Sequence, residues 1–128
     1  MIKPKSFLDF AQNLFNDLRH ENDCIEVRSC ISRAYYFIHH FGLQRFSQDK
    51  RAKNLSAGNT ERHRLLIEFF RDIKARDIAD RLNNLRNRRN DADYELNLNL
   101  TKKNAEDSLR DAKNLEWRMN RITPQVNQ

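Results

Sequence analysis

Val27, Ile31, Ala34, Ile38 and Phe41 recur in steps of four and three, the spacing that lines one face of an α-helix. A stripe of this kind, carried on to about Phe46, marks a long helix that other elements must cover. Nothing in the chain favours a sheet. It has only two glycines and two prolines in 128 residues, and sheet proteins usually build their many turns from those residues.

Similar periodicity divides the remainder. Phe7, Ala11, Leu14, Phe15 and Leu18 predict a first helix over residues 5–20, with Pro4 suited to its first turn. Asn22 or Asp23 is placed to cap the second helix. Residues 47–60 read as a basic connection carrying Lys50, Arg51 and Lys53. Asn59 or Thr60 can then cap a helix bearing Leu65, Leu66, Phe69, Phe70 and Ile73. A helix with Ile78, Leu82 and Leu85 follows, either set off by a kink or short break near Lys74–Arg76 or continuous with the one before it. From Asp91 to Leu100 the helical period is lost. Leu96, Leu98 and Leu100 alternate with Asn97 and Asn99, which fits a short strand; with no second strand to pair with, the segment reads as an extended connection packed on the helices. Thr101 caps a last helix with Ala105, Leu109, Ala112, Leu115, Met119 and Ile122 on one face, and Pro124 ends it. The expectation is an all-α, antiparallel up-and-down bundle of four to five helices, forming a single domain over residues 1–128.

Lys and Arg number 24 against 18 Asp and Glu, a net charge of +6, which favours contact with a polyanion such as nucleic acid. There is no apolar run long enough to cross a membrane and no apolar segment behind the N-terminus, so no membrane or secretory role is expected. Cys24 and Cys30 point in different directions on one helix and cannot bridge. Both read as reduced thiols of a cytoplasmic protein. No Cys or His spacing predicts a metal site, and no cofactor is implied.

Two motifs carry the chemistry: Arg33-Ala34-Tyr35-Tyr36 followed by His40, and Arg89-Asn90-Asp91-Ala92-Asp93-Tyr94. Together, and in this order, they resemble those of HEPN domains (higher eukaryotes and prokaryotes nucleotide-binding), and the resemblance spans about residues 5–122. It implies a helical bundle that dimerises through the motif-bearing helices. One branch of that family consists of metal-independent endoribonucleases of toxin–antitoxin and phage-defence systems. Another partners a nucleotidyltransferase. The nuclease signature places a His four to six residues after its Arg. Here Asp93 and Tyr94 fall at the first of those places, and no His follows His63.

On the nuclease reading, Arg89, Asn90 and Tyr94 are the catalytic candidates. Arg89 clamps a phosphate bidentately, Asn90 orients the phosphate or Arg89 itself, and Tyr94 donates a hydrogen bond or stacks on a base. Arg33, Arg86, Arg88, Asp93 and His40 are candidate RNA contacts, with tRNA or mRNA as the expected partner. The alternative is structural. Arginines near a helix C-terminus complement its dipole, Asp91 or Asp93 can pair with Arg88 or Arg89, and the rings of Tyr35 and Tyr36 can be core. Likewise Arg81, Arg86, Arg88 and Arg89 form either a solvated face balanced by Asp77 and Asp80 or a phosphate track. His39 and His40, about 100° apart on a helix, are not expected to face one site. His63 reads as an exposed or capping residue of the third helix, and His20 as a surface one.

Overall fold

The computed structural model describes residues 2–53, 55 and 61–126. Five helices follow in order: α1 Pro4–Asn16, α2 Ile25–Phe46, α3 Arg62–Asp72, α4 Arg76–Tyr94 and α5 Lys102–Asn120. The chain is an all-α bundle. Helix α2 touches each of the other four, and its length exposes no side to water along most of its course. Val27, Cys30, Ile31, Ala34, Tyr35, Phe37 and Ile38 are all buried. The expected stripe is therefore only part of α2's buried surface, and Phe41 lies at its edge, half-buried. Leu66 and Phe70 of α3, Leu82 and Leu85 of α4, and Leu115 and Met119 of α5 complete the same core.

Local chemistry accounts for the boundaries. Pro4 opens α1, where its missing N–H leaves no hydrogen bond unmade. Helix α1 ends at Asn16, short of residue 20. Cys24, not Asn22 or Asp23, stands at the N-cap of α2. Asn59 and Thr60 lie outside the described residues, and Glu61 is the N-cap of α3. Thr101 caps α5 as expected and does so reciprocally. Its Oγ1 accepts from the Asn104 backbone N–H at 3.4 Å, and Asn104 Oδ1 accepts from the Thr101 N–H at 2.8 Å.

The break between α3 and α4 falls at Lys74, whose φ is 65°. Ala75 N–H donates to Phe70 O at 2.7 Å and Lys74 N–H to Arg71 O at 3.0 Å, the paired bonds of a Schellman motif. That motif puts one residue in the left-handed region, where a side chain is disfavoured and glycine is not.

Helix α4 runs through Tyr94, beyond the point where the apolar period fades. The alternating leucines that follow do not pack as expected. Leu96 is 78% exposed and Leu98 43%, while Leu100 is half-buried. Backbone bonds made elsewhere hold this connection, so its leucines are free to face out.

The chain near the C-terminus returns to the α2–α3 connection. Asp49, buried at 4% exposure, accepts from Gln125 N–H at 3.0 Å and from the Arg51 guanidinium at 2.7 Å and 2.9 Å. Lys50 N–H donates to Gln125 O at 2.6 Å. The Arg51 guanidinium holds the Asp49 carboxyl well below the ordinary range.

Lys74→Gly removes the cost of a left-handed side chain without disturbing either capping bond. It should stabilise the fold by about 1 kcal/mol, read as a rise of a few degrees in Tm.

Candidate functional site around Arg89

The end of α4 is fixed by a residue that the sequence did not single out. Arg28, on α2 and 8% exposed, pairs with Asp23 through two bonds of 2.9 Å and 2.8 Å. Its remaining donors reach the carbonyls of Asp91 (3.3 Å), Ala92 (3.2 Å), Glu95 (3.1 Å) and Leu98 (2.7 Å). Helix ends leave such carbonyls without intrahelical partners, and a cation suits the negative end of the dipole. Only an Asp five residues before the Arg hinted at this role, and that spacing is common.

With α4 so held, Arg89 lies against α2. Its side chain is 12% exposed. Nη2 donates to Tyr36 Oη at 2.8 Å and Nη1 to Asn90 Oδ1 at 2.7 Å. The guanidinium carbon is 5.1 Å from the Tyr36 ring centre and 5.7 Å from that of Tyr35, within cation–π range of both. Nε lies 3.6 Å from Asp93 Oδ2, which also accepts from Ser32 Oγ at 3.3 Å. Asn90 thus orients Arg89, and Asp93 pairs with it as a structural cap would.

Around this pair the structure gathers residues from three helices. Arg33 reaches the Tyr36 ring at 5.5 Å. The His40 ring is stacked on Tyr36 at 6.0 Å and on Phe7 of α1 at 5.2 Å, and Phe7 and Tyr36 are themselves 6.1 Å apart. His39 is buried, stacked on Tyr35 at 5.6 Å and on His63 at 4.1 Å. The two adjacent histidines therefore do share one cluster: their rings are 5.2 Å apart, and α3 brings His63 onto His39 and Tyr36. His63 is half-buried, with Nδ1 2.5 Å from the Tyr35 hydroxyl, and is neither exposed nor a cap. The signal for it was absent from the sequence: 28 residues separate it from Tyr35. His20 is exposed, as expected.

Arg33, Arg62 and Arg86 have no ion pair or side-chain hydrogen bond among the described residues. Arg88 points the other way, to Asp111 of α5 at 2.8 Å. Arg81 is likewise paired, with Asp77 at 3.0 Å, and Arg51 is held by Asp49. A continuous phosphate track along α4 is not formed; Arg33 lies at the Tyr36 ring, and Arg62 and Arg86 act on His63. Tyr94 is 70% exposed and has no side-chain hydrogen bond or ring contact among the described residues, so it stands apart from Arg89. Beside His40, a groove of about 570 Å³ is lined by Phe7, Leu43, Leu55 and Arg62. Among the described residues no group of three or more His, Cys, Asp or Glu is placed to hold a metal, and no helix is long and apolar enough to cross a membrane.

Burial, more than any neighbouring charge, depresses all three clustered histidines. His39 is lowered to about 2 and His63 to about 4, with Arg86 and Arg89 adding to the effect on His63. His40 is lowered by burial and then by Arg62. Burial also raises the Tyr35 hydroxyl, which stays protonated. No family model matches the chain, and no curated protein matches it.

The histidines set a pH dependence. Their folded pKa values lie below the ordinary 6.5, so the unfolded chain binds more protons in acid. Stability should be level above pH 6.5 and fall as pH drops from there toward 4. Thermal melts between pH 7.5 and 5 read this, and His39→Phe, which keeps the stack and removes a titrating ring, should flatten the slope. A second expectation concerns Arg28. Arg28→Ala should lower Tm and speed amide exchange over residues 91–98, the carbonyl-bearing stretch that it holds.

Proposed function

We propose that this chain is a HEPN-like RNA-binding protein, with an RNA phosphodiester held beside Tyr36 by the cations that Arg89 anchors. The observation that carries the reading is the meeting of Arg33 and Arg89 at the Tyr36 ring, with Arg62 and Arg86 acting on His63 beside it and, like Arg33, without an ion pair among the described residues. Free guanidinium groups next to aromatic faces suit a single-stranded nucleic acid, with charge for the backbone and rings for the bases. Arg89 uses both terminal nitrogens internally, so its part is to organise Tyr36 and Asn90 and to supply positive potential, leaving direct contact to its neighbours.

The resemblance places such a protein in a cytoplasmic toxin–antitoxin or phage-defence system, acting as a homodimer on tRNA or mRNA. A metal-independent endoribonuclease of this type would leave a cyclic phosphate. The expected results are binding of labelled RNA that weakens with salt, and a salt slope smaller by about one in each of Arg33→Ala, Arg62→Ala and Arg86→Ala. Arg89→Ala should abolish most of the binding. Incubation of total tRNA and mixed mRNA with the protein in EDTA decides catalysis: discrete products lost in Arg89→Ala would place the chain with the nucleases.

A second reading has its own observation. Tyr94, the last residue of α4, and Leu96 and Leu98 just beyond it are exposed apolar side chains, which suits docking of a nucleotidyltransferase or antitoxin partner. An intact, folded chain that neither binds nor cleaves RNA would favour it. Light scattering at tens of micromolar tests the homodimer, and a monomer there would count against a composite site.

A further inference from the structure

We propose that His63 supplies, through space from α3, the imidazole that the α4 motif lacks, and that it does so as a neutral hydrogen-bond donor: Tyr35 occupies Nδ1, and Nε2–H is offered to a phosphodiester oxygen among Arg62, Arg86 and Arg89. This rests on the RNA-binding reading above and gives its site a specific polar contact.

The argument begins with Tyr35. Its ring is fully buried, and His63 Nδ1 is the hydrogen-bond partner of its hydroxyl among the described residues. A buried hydroxyl proton needs an acceptor. Burial keeps the phenol protonated, so the O–H donates to Nδ1. A neutral imidazole that accepts at Nδ1 carries its own proton on Nε2. Among the described residues Nε2 makes no hydrogen bond, and it is not among the buried polar atoms left without one, so it is open to solvent. The ring plane is fixed as well. His39 lies against one part of the stack at 4.1 Å and 14°, and Tyr35 is nearly parallel at 22°. Turning the ring over would break the Tyr35 bond and disturb both contacts.

The surroundings suit an anion and disfavour a second proton. Arg62 adjoins His63 on α3, Arg86 and Arg89 act on it from α4, and His40 does so from α2. Tyr35, Tyr36 and His39 are the other titratable groups facing it, and burial keeps Tyr35 and His39 uncharged near neutral pH. An incoming phosphodiester therefore meets several positive charges and one neutral N–H. The same arrangement limits chemistry. With Nδ1 filled and Nε2 protonated, His63 has no free lone pair with which to take a 2′-hydroxyl proton. It grips the phosphodiester and does not act as the general base of a cleavage reaction.

Long-range proton–nitrogen spectra of the ¹⁵N-labelled protein, with His63 assigned by its loss in His63→Phe, test the tautomer directly. The expected result is an Nε2–H ring unchanged from pH 8 to 5. An Nδ1–H ring, or titration near pH 6.5, would overturn the proposal. Binding tests the contact, with a fluorescein-labelled oligouridylate at low salt as the probe. His63→Gln keeps an N–H donor and should bind within about threefold of the parent. His63→Phe keeps a flat ring without the donor and should bind about tenfold more weakly, with the salt slope unchanged. Circular dichroism and Tm establish that both variants fold. Binding by His63→Phe or by a folded His63→Gln that breaks this order sinks the His63 assignment while leaving RNA binding intact. If the parent and Arg89→Ala bind the probe equally poorly, the RNA-binding reading fails, and the donor role fails with it.

Discussion

The Arg28 guanidinium stands where α2, α4 and the 95–101 connection meet, and the arrangement around the tyrosines depends on it. It is balanced by Asp23 on one side and by four carbonyls on the other. A buried cation persists only when its donors are satisfied, so the contact is specific: the carbonyls must come from a helix end and the turn after it, at one register. That register sets which face of α4 meets α2. It turns Arg89 toward Tyr36 and Arg88 toward α5, because neighbouring residues on a helix point about 100° apart. The opposite fates of two adjacent arginines follow from where the helix is clamped.

The second organising feature is a ring stack running from Phe7 through His40 and Tyr36 on one side, and from Tyr35 through His39 to His63 on the other. Burial keeps the His39 and His63 rings of this stack uncharged. The cost of a buried polar nitrogen remains at His39, whose Nδ1 has no partner among the described residues. At His63 it is met by Tyr35. One site is thus strained and the other satisfied, although their rings are in contact.

The features legible in the sequence were those with a local cause. The α2 stripe, the break at Lys74 and the Thr101 cap each follow from neighbouring residues, and each appears as expected. Leu96 and Leu98 were misjudged because alternation says nothing of which side, if any, is covered, and carbonyl contacts with Arg28 left their side chains outside. His63 and Arg62 were missed for a different reason: their role arises where three helices meet, and contacts between sequence-distant polar groups have no period. The Arg89 motif drew attention to its helix end, but motif proximity could not separate Arg89 from Arg88, nor show that Tyr94 is exposed and apart from Arg89.

The tie between Asp49 and Gln125 reaches further than the short segment it holds. Asp49 belongs to the connection that carries Leu55, and Leu55 forms a wall of the groove beside His40 and Arg62. The last described residues therefore act as a strap on the rim of that groove. Two stretches 76 residues apart in sequence are thereby joined beside it. A change at the far end of the chain would reach the groove through this tie, without touching what enters it.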